Sequence, residues 1–264
     1  MNPYKIYLKG CLAVGVFLLA QLVGPLFAMA LYVAFDPSVS VDSVLDDSFM
    51  TTRADVLILS LILADVIASV VLFATGLARL KASFVPSGES ARRVAVAVLA
   101  AICGIFACDL LSEQLALEDL LEDQFLEMGR MPLGIITLAI LGPIVEELVF
   151  REALQGTLLR GGCKAWVAMV VSAASFGLVH MNPAQIPFAF LMGLILSYVY
   201  QKTGNIFVTS IIHILNNSLA VVQMNVLGDA AKDFSMTEWV GGPVVAWGAI
   251  VVGCVMCVGL LRRL

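Results

Sequence analysis

Long apolar runs alternate with short polar stretches along the whole chain, near residues 11–35, 54–78, 93–111, 132–154, 164–181, 184–201, 204–225 and 240–261. Each run is close to the roughly 20 residues an α-helix needs to cross a bilayer. The pattern predicts an all-α, polytopic membrane protein of about eight transmembrane helices, a number read by applying that length to the runs. Before the fourth run, the stretch EQLALEDLLEDQFLEMG (113–129) sets Leu115, Leu117, Leu120, Leu121 and Phe125 among acids. This spacing predicts an amphipathic helix on the outer face. The acidic connection 36–53 reads as flexible. No repeat or low-complexity segment interrupts the series.

Composition excludes a soluble domain. Hydrophobic residues make up 61% of the 264 and charged ones 13%, with a mean hydropathy of +0.99. Soluble domains carry about twice that share of charge. The bilayer is therefore the first partner, and without a basic stripe nucleic acid is not expected. The positions of the charges say more than the net −5. Lys5, Lys9, Arg79, Lys81, Arg92, Arg93, Arg160, Lys164, Lys202, Arg262 and Arg263 all fall on one side of an eight-span chain. Arg53, Arg130 and Lys232 share the other side with many acids, and Arg151 lies inside a span. Cytoplasmic loops are enriched in Lys and Arg, so both termini are expected in the cytoplasm. Lys5 and Lys9, the apolar run and Ala28-Met29-Ala30 also resemble a cleavable signal peptide. The run is long, and we expect it to be kept as the first span.

Six cysteines are present, and Cys254 and Cys257 form a lone CxxC in the last run. No second pair and no histidine accompany it, so no metal or redox role is expected there.

Ionisable side chains inside a span are costly and mark candidate function. Here they are Asp65, Asp109, Glu146, Glu147, Arg151, Glu152, His180 and His213, joined by the amides Asn216 and Asn217. Asp65 and Asp109 stand alone in their spans, where packing against a polar group of another helix would account for them. The others form a sequence cluster that includes both histidines of the chain. The fourth and fifth spans turn back at Gly161–Gly162. At 1.5 Å per residue, Glu146 and His180 lie roughly 22 and 27 Å from that turn, nearly level. His213 and Asn217 lie roughly 13 and 20 Å from the Lys202–Asn205 turn, within reach if the first hairpin protrudes further. Glu147 and Arg151, four residues apart, suit an ion pair. Glu146 points elsewhere without that partner, and an unpaired acid in an apolar site suits a general base. Phe176 sits one helical turn before His180 and can support its ring. His213 and Asn217 share a face, with Asn216 beside them, and are suited to stabilise an oxyanion.

Three motifs carry a resemblance. Glu146–Arg151 (EELVFR) fits EExxxR, Phe176–His180 (FGLVH) fits FxxxH, and His213–Asn217 (HILNN) fits HxxxN. In this order they resemble the family of CAAX proteases and bacteriocin-processing enzymes (CPBP, or Abi), whose eukaryotic members are the type II CAAX prenyl endopeptidases. The resemblance implies an intramembrane endopeptidase. Glu146 and His180 would activate water, His213 and Asn217 would hold the oxyanion, and Glu147 and Arg151 would position the site. It divides the chain into a variable transmembrane part (1–130), a catalytic core (131–226) and a C-terminal transmembrane helix (227–264). Expected substrates are membrane-associated proteins or peptides, lipidated or bearing a leader, reached through a cavity open to the cytoplasm or to lipid. Zinc is an open question. Glu146, His180 and His213 are the ligand set that could hold it, and the same residues can activate water without metal. Two other readings stay open: a transporter or proton-coupled channel using the buried Glu, His and Arg, for which inverted repeats are the missing sign, and an immunity or scaffold protein.

Overall fold

A backbone in lipid must satisfy its own N–H and C=O groups, so apolar length becomes helix. The computed structural model describes residues 3–46, 48–79, 89–204 and 206–264, and among these it is helical with no strand. Lys81 and Asn205, used above to place a charge and a turn, lie outside the described residues. The principal helices are α1 (Pro3–Phe35), α2 (Ala54–Ala74), α3 (Ala91–Glu113), α4 (Glu122–Gly129), α5 (Pro132–Arg160), α6 (Ala165–Leu178), α7 (Gln185–Thr203), α8 (Ile206–Leu227) and α9 (Pro243–Leu261).

Among the described residues, 6 helices are long and apolar enough to cross a membrane: α1, α2, α3, α5, α8 and α9. Eight were expected, and the difference lies in α6 and α7. The first has only 14 residues, short of the roughly 20 that a crossing needs. The second has 19 residues but ends in polar Gln201 and Lys202 and begins at Gln185. The turn before α6 falls where expected, and Gly162 adopts a φ of +83° there.

Two predicted connections also differ. Residues 114–121 are turn and coil, and only Glu122–Gly129 of the expected amphipathic helix is helical. The Asp119 carboxylate accepts from the Leu121 N–H at 2.9 Å and from Asn182 Nδ2 at 2.7 Å. Such side-chain bonds compete with helix formation. The 36–53 connection holds two short helices, Val41–Val44 and Ser48–Thr52, the first capped reciprocally by Ser40 and Ser43.

α5 is the central element, packed by α1, α2, α6 and α8, while α3 lies along α9, α6 along α7, and α1 along α2. Close approach of α1 to α2 depends on Gly24, where a Cβ would come within 2.5 Å of the Ser60 carbonyl oxygen. Small residues let backbones approach in lipid, where dispersion rather than the hydrophobic effect joins helices. The two ends of the bundle differ in charge. At one end Arg79 and Arg160 both meet Glu152, and Arg93 donates to the Leu264 carbonyl. At the other, Glu113 accepts from Ser235 and Thr237, Arg130 pairs with Asp229, and Lys232 pairs with Asp123.

Candidate active site

Two π-helical stretches, Thr137–Leu141 and Leu148–Gln155, flank the α-helical turn Gly142–Glu147 within α5. Such segments are rare and cluster at functional sites. Gly142–Pro143 therefore does not break the helix. Proline has no N–H to offer, so the carbonyl of Leu138, five residues before Pro143, lacks its π partner, while the Gly142 N–H bonds Thr137. Asn217 Nδ2 of α8 donates to Leu138 instead, at 2.9 Å. The imino acid that could have broken the helix thus creates the anchor for α8.

Glu147 and Arg151 are both fully buried and approach to 3.2 Å, as their spacing predicts. The pair is an ion contact rather than a set of aligned hydrogen bonds. Glu147 Oε2 and all three guanidinium nitrogens are buried without a hydrogen-bond partner. The guanidinium carbon instead stands 4.4 Å from the Phe176 ring centre, a cation–π contact.

His213 of α8 sits between the two glutamates. Its Nδ1–H donates to Glu147 Oε1 at 3.0 Å, and its Nε2 lies 3.4 Å from Glu146 Oε2. Glu146 is therefore not unpartnered, as the sequence suggested. Helical spacing within α5 could not show that α8 packs across this turn. The Glu146 side chain keeps 23% of its surface exposed, whereas that of Glu147 keeps none.

At the end of α6, the His180 Nδ1–H donates to the Phe176 carbonyl at 2.7 Å. This fixes the tautomer and leaves Nε2 with a lone pair. The Phe176 ring meets the rings of His180 and His213 edge-to-face, at 5.0 and 5.6 Å. One aromatic side chain thus locates both imidazoles and the guanidinium.

A cavity of about 190 Å³ lies against this cluster, walled by Phe176, His180, His213, Asn216 and Asn217, with Gln185 and Phe188 of α7. Asn216 Nδ2 donates to Asn217 Oδ1 at 3.0 Å. Gln185 and Phe188 carried no signal in the sequence, because a glutamine and a phenylalanine at a helix start have many ordinary roles. The cavity sits by the start of α7, at the acidic end of the bundle.

The remaining candidates lie outside this hydrogen-bonded cluster. Glu152 is fully buried, 8 residues before Arg160, and accepts from Arg79 Nε, Arg160 Nη1 and the Tyr200 hydroxyl at 2.7, 3.1 and 2.7 Å. Asp65 is buried on α2, and Asp109 faces open space on α3. Neither has a hydrogen bond or ion pair among the described residues, and Asp65 lies near enough to Glu146 of α5 for the two carboxylates to interact.

Among the described residues, no group of three His, Cys, Asp or Glu side chains is arranged to hold a metal ion. Glu146, His180 and His213 are therefore not gathered as a three-ligand set in this arrangement.

Residues 129–219 match the family described as type II CAAX prenyl endopeptidase Rce1-like. Over these residues the chain is similar to the Rce1-like family. That region holds α5 to α8 almost entire, and with them all three motifs. Two relatives each match about a third of the chain. YdiL of Bacillus subtilis (strain 168), named as a candidate membrane peptidase, is 32% identical over 92 residues, 35% of this chain and 37% of its own. MroQ of Staphylococcus aureus (strain USA300), a membrane-embedded CAAX protease, is 36% identical over 98 residues, 35% of this chain and 40% of its own. The match thus spans about two fifths of those relatives' length. No solved structure matches the chain. Outside the Rce1-like region, α1 to α3 and α9 supply the rest of a multi-pass integral membrane protein.

Proposed function

We propose that the chain is an intramembrane endopeptidase that hydrolyses a peptide bond of a membrane-associated protein or peptide. The observation that carries this reading is His213 set between Glu146 and Glu147 beside His180, all within the Rce1-like region. In the reading, residues 131–226 form the catalytic unit and both termini face the cytoplasm.

A water held between Glu146 and His180 would donate one hydrogen to Glu146 and the other to His180 Nε2, the free acceptor of its ring. Proton transfer from water to Glu146 as the oxygen attacks the scissile carbonyl carbon gives a tetrahedral oxyanion. Asn217 has a second Nδ2–H beyond the one held by Leu138, and the edge of the His213 ring lies beside it. Both line the cavity and suit the oxyanion. The proton taken by Glu146 then passes to the amine as the C–N bond breaks. Glu147 and Arg151 do not touch the reacting atoms; they fix the His213 ring, as carboxylates do for catalytic histidines. Substrate classes compatible with the reading include lipidated peptides and leader-bearing peptides.

The test is incubation of the purified chain in nanodiscs with a panel of both kinds of peptide, read by mass spectrometry. Cleavage by the wild type and its loss in a folded Glu146→Gln variant support the reading. An intact panel together with proton or solute flux in vesicles would favour the transporter reading instead.

A further inference from the structure

The catalytic cavity does not stand alone. It shares Phe188 and Asn216 with a second cavity of about 310 Å³ between α3, α7 and α8. It shares Gln185 and Phe188 with a third of about 490 Å³ at the acidic end. The second and third have Asp109, Phe188 and Ala220 in common. Asp109 therefore stands where the two outer spaces meet, one ring away from the catalytic cavity. The second is apolar apart from Asp109, Asn216 and Gln223, with Ile102, Ile105 and Leu219 among its walls.

The acids around Asp109 already have structural work. Glu113 accepts from Ser235 Oγ at 2.6 Å and from the Thr237 N–H and hydroxyl at 2.8 and 2.7 Å. Asp119 is held by Asn182 and Leu121. The three cations expected at this end are occupied as well: Arg53 by Asp55, Arg130 by Glu127 and Asp229, and Lys232 by Asp123. Asp109 alone among the acids of these walls has neither a hydrogen bond nor an ion pair with any described residue, and it is exposed to the cavities. A carboxylate within a span is costly unless something pairs with it, and no cation of the described chain does so.

We propose that Asp109 receives a cationic side chain of the substrate while the adjoining apolar substrate residues occupy the groove between α3 and α8. The inference rests on the endopeptidase reading and names its substrate class: a peptide with Lys or Arg beside an apolar stretch, entering at the acidic end. Charge complementarity chooses this occupant over a neutral lipid tail, which would leave the carboxylate unpaired.

The experiment uses the full chain in nanodiscs and the peptides it cleaves, with Lys, norleucine or Glu walked through each position near the scissile bond. In the wild type, Lys at one position should raise kcat/KM at least tenfold over norleucine, chiefly through KM. Asp109→Asn should bring that ratio to near one, and Asp109→Lys should favour Glu at the same position. Size-exclusion profiles check that both variants fold. Cleavage without a Lys preference, or a preference that survives both substitutions, overturns this inference alone. A wild-type chain that cleaves nothing in the panel overturns the endopeptidase reading and this inference with it.

Discussion

Two buried acid clusters lie one helical turn or so apart on α5, and they are built differently. Around Glu152, three donors from α5, α7 and the end of the α2 segment converge on one carboxylate. Around Glu147, the ion pair leaves four buried polar atoms unsatisfied, and the second carboxylate, Glu146, keeps 23% of its surface exposed. A buried charge that only holds a fold gathers every partner it can. A charge kept for chemistry leaves capacity free and reaches open space. On the proposed reading the contrast gives Glu152 to architecture, Glu147 to holding His213 and Glu146 to the reaction, although all three acids look alike in a hydropathy plot.

The comparison can be broken most sharply at its two acids. Glu146→Gln should lower kcat by about 100- to 10,000-fold, the usual range for a lost acid–base group, with the thermal midpoint nearly unchanged. Glu152→Gln should do the opposite. Loss of charge-assisted bonds costs about 1.5–3 kcal/mol, so thermal denaturation should come several degrees earlier while kcat of the folded fraction stays close to wild type. Equal effects of the two on kcat would erase the distinction. Next in size, Asn217→Ala should slow cleavage by about 100- to 1,000-fold if its amide serves the oxyanion. It also frees the Leu138 carbonyl, so a modest loss of stability should accompany the kinetic one. A stability loss alone would confine Asn217 to anchoring.

Much of this was legible in the sequence, and the remainder was hidden for physical reasons. The long spans follow from apolar length, and the i, i+4 contact of Glu147 with Arg151 follows from helical spacing. Helical spacing on one element could not reveal that His213 comes between the glutamates, because that depends on how α8 crosses α5. The π-helical stretches were equally hidden: Pro143 explains one of them only once Asn217 is seen to take up the freed Leu138 carbonyl. Glu152 looked like part of the site because its partner Arg79 lies 73 residues away in sequence. The amphipathic reading of 113–129 followed apolar spacing and missed Asp119, whose side chain captures the backbone and Asn182.

A smaller effect sharpens the role of Phe176. Phe176→Leu keeps an apolar side chain but removes the face under Arg151 and the edges against both imidazoles. Such contacts are worth about 0.5–2 kcal/mol each, so kcat should fall by about tenfold, mostly through misplacement of His180 and His213. The smallest expected effect is that of chelation: activity should survive exhaustive EDTA treatment, measured alongside metal content by mass spectrometry. Loss of activity that added zinc restores would show that the donors rearrange around a metal.

Cleavage in water enriched in ¹⁸O tests the central claim most directly, because it follows the attacking oxygen itself. The wild-type chain should release a fragment whose new C-terminal carboxylate carries one ¹⁸O, and the folded Glu146→Gln variant should release none. A wild type that yields no labelled fragment from any membrane peptide, or a variant that labels as fast as the wild type, would contradict it.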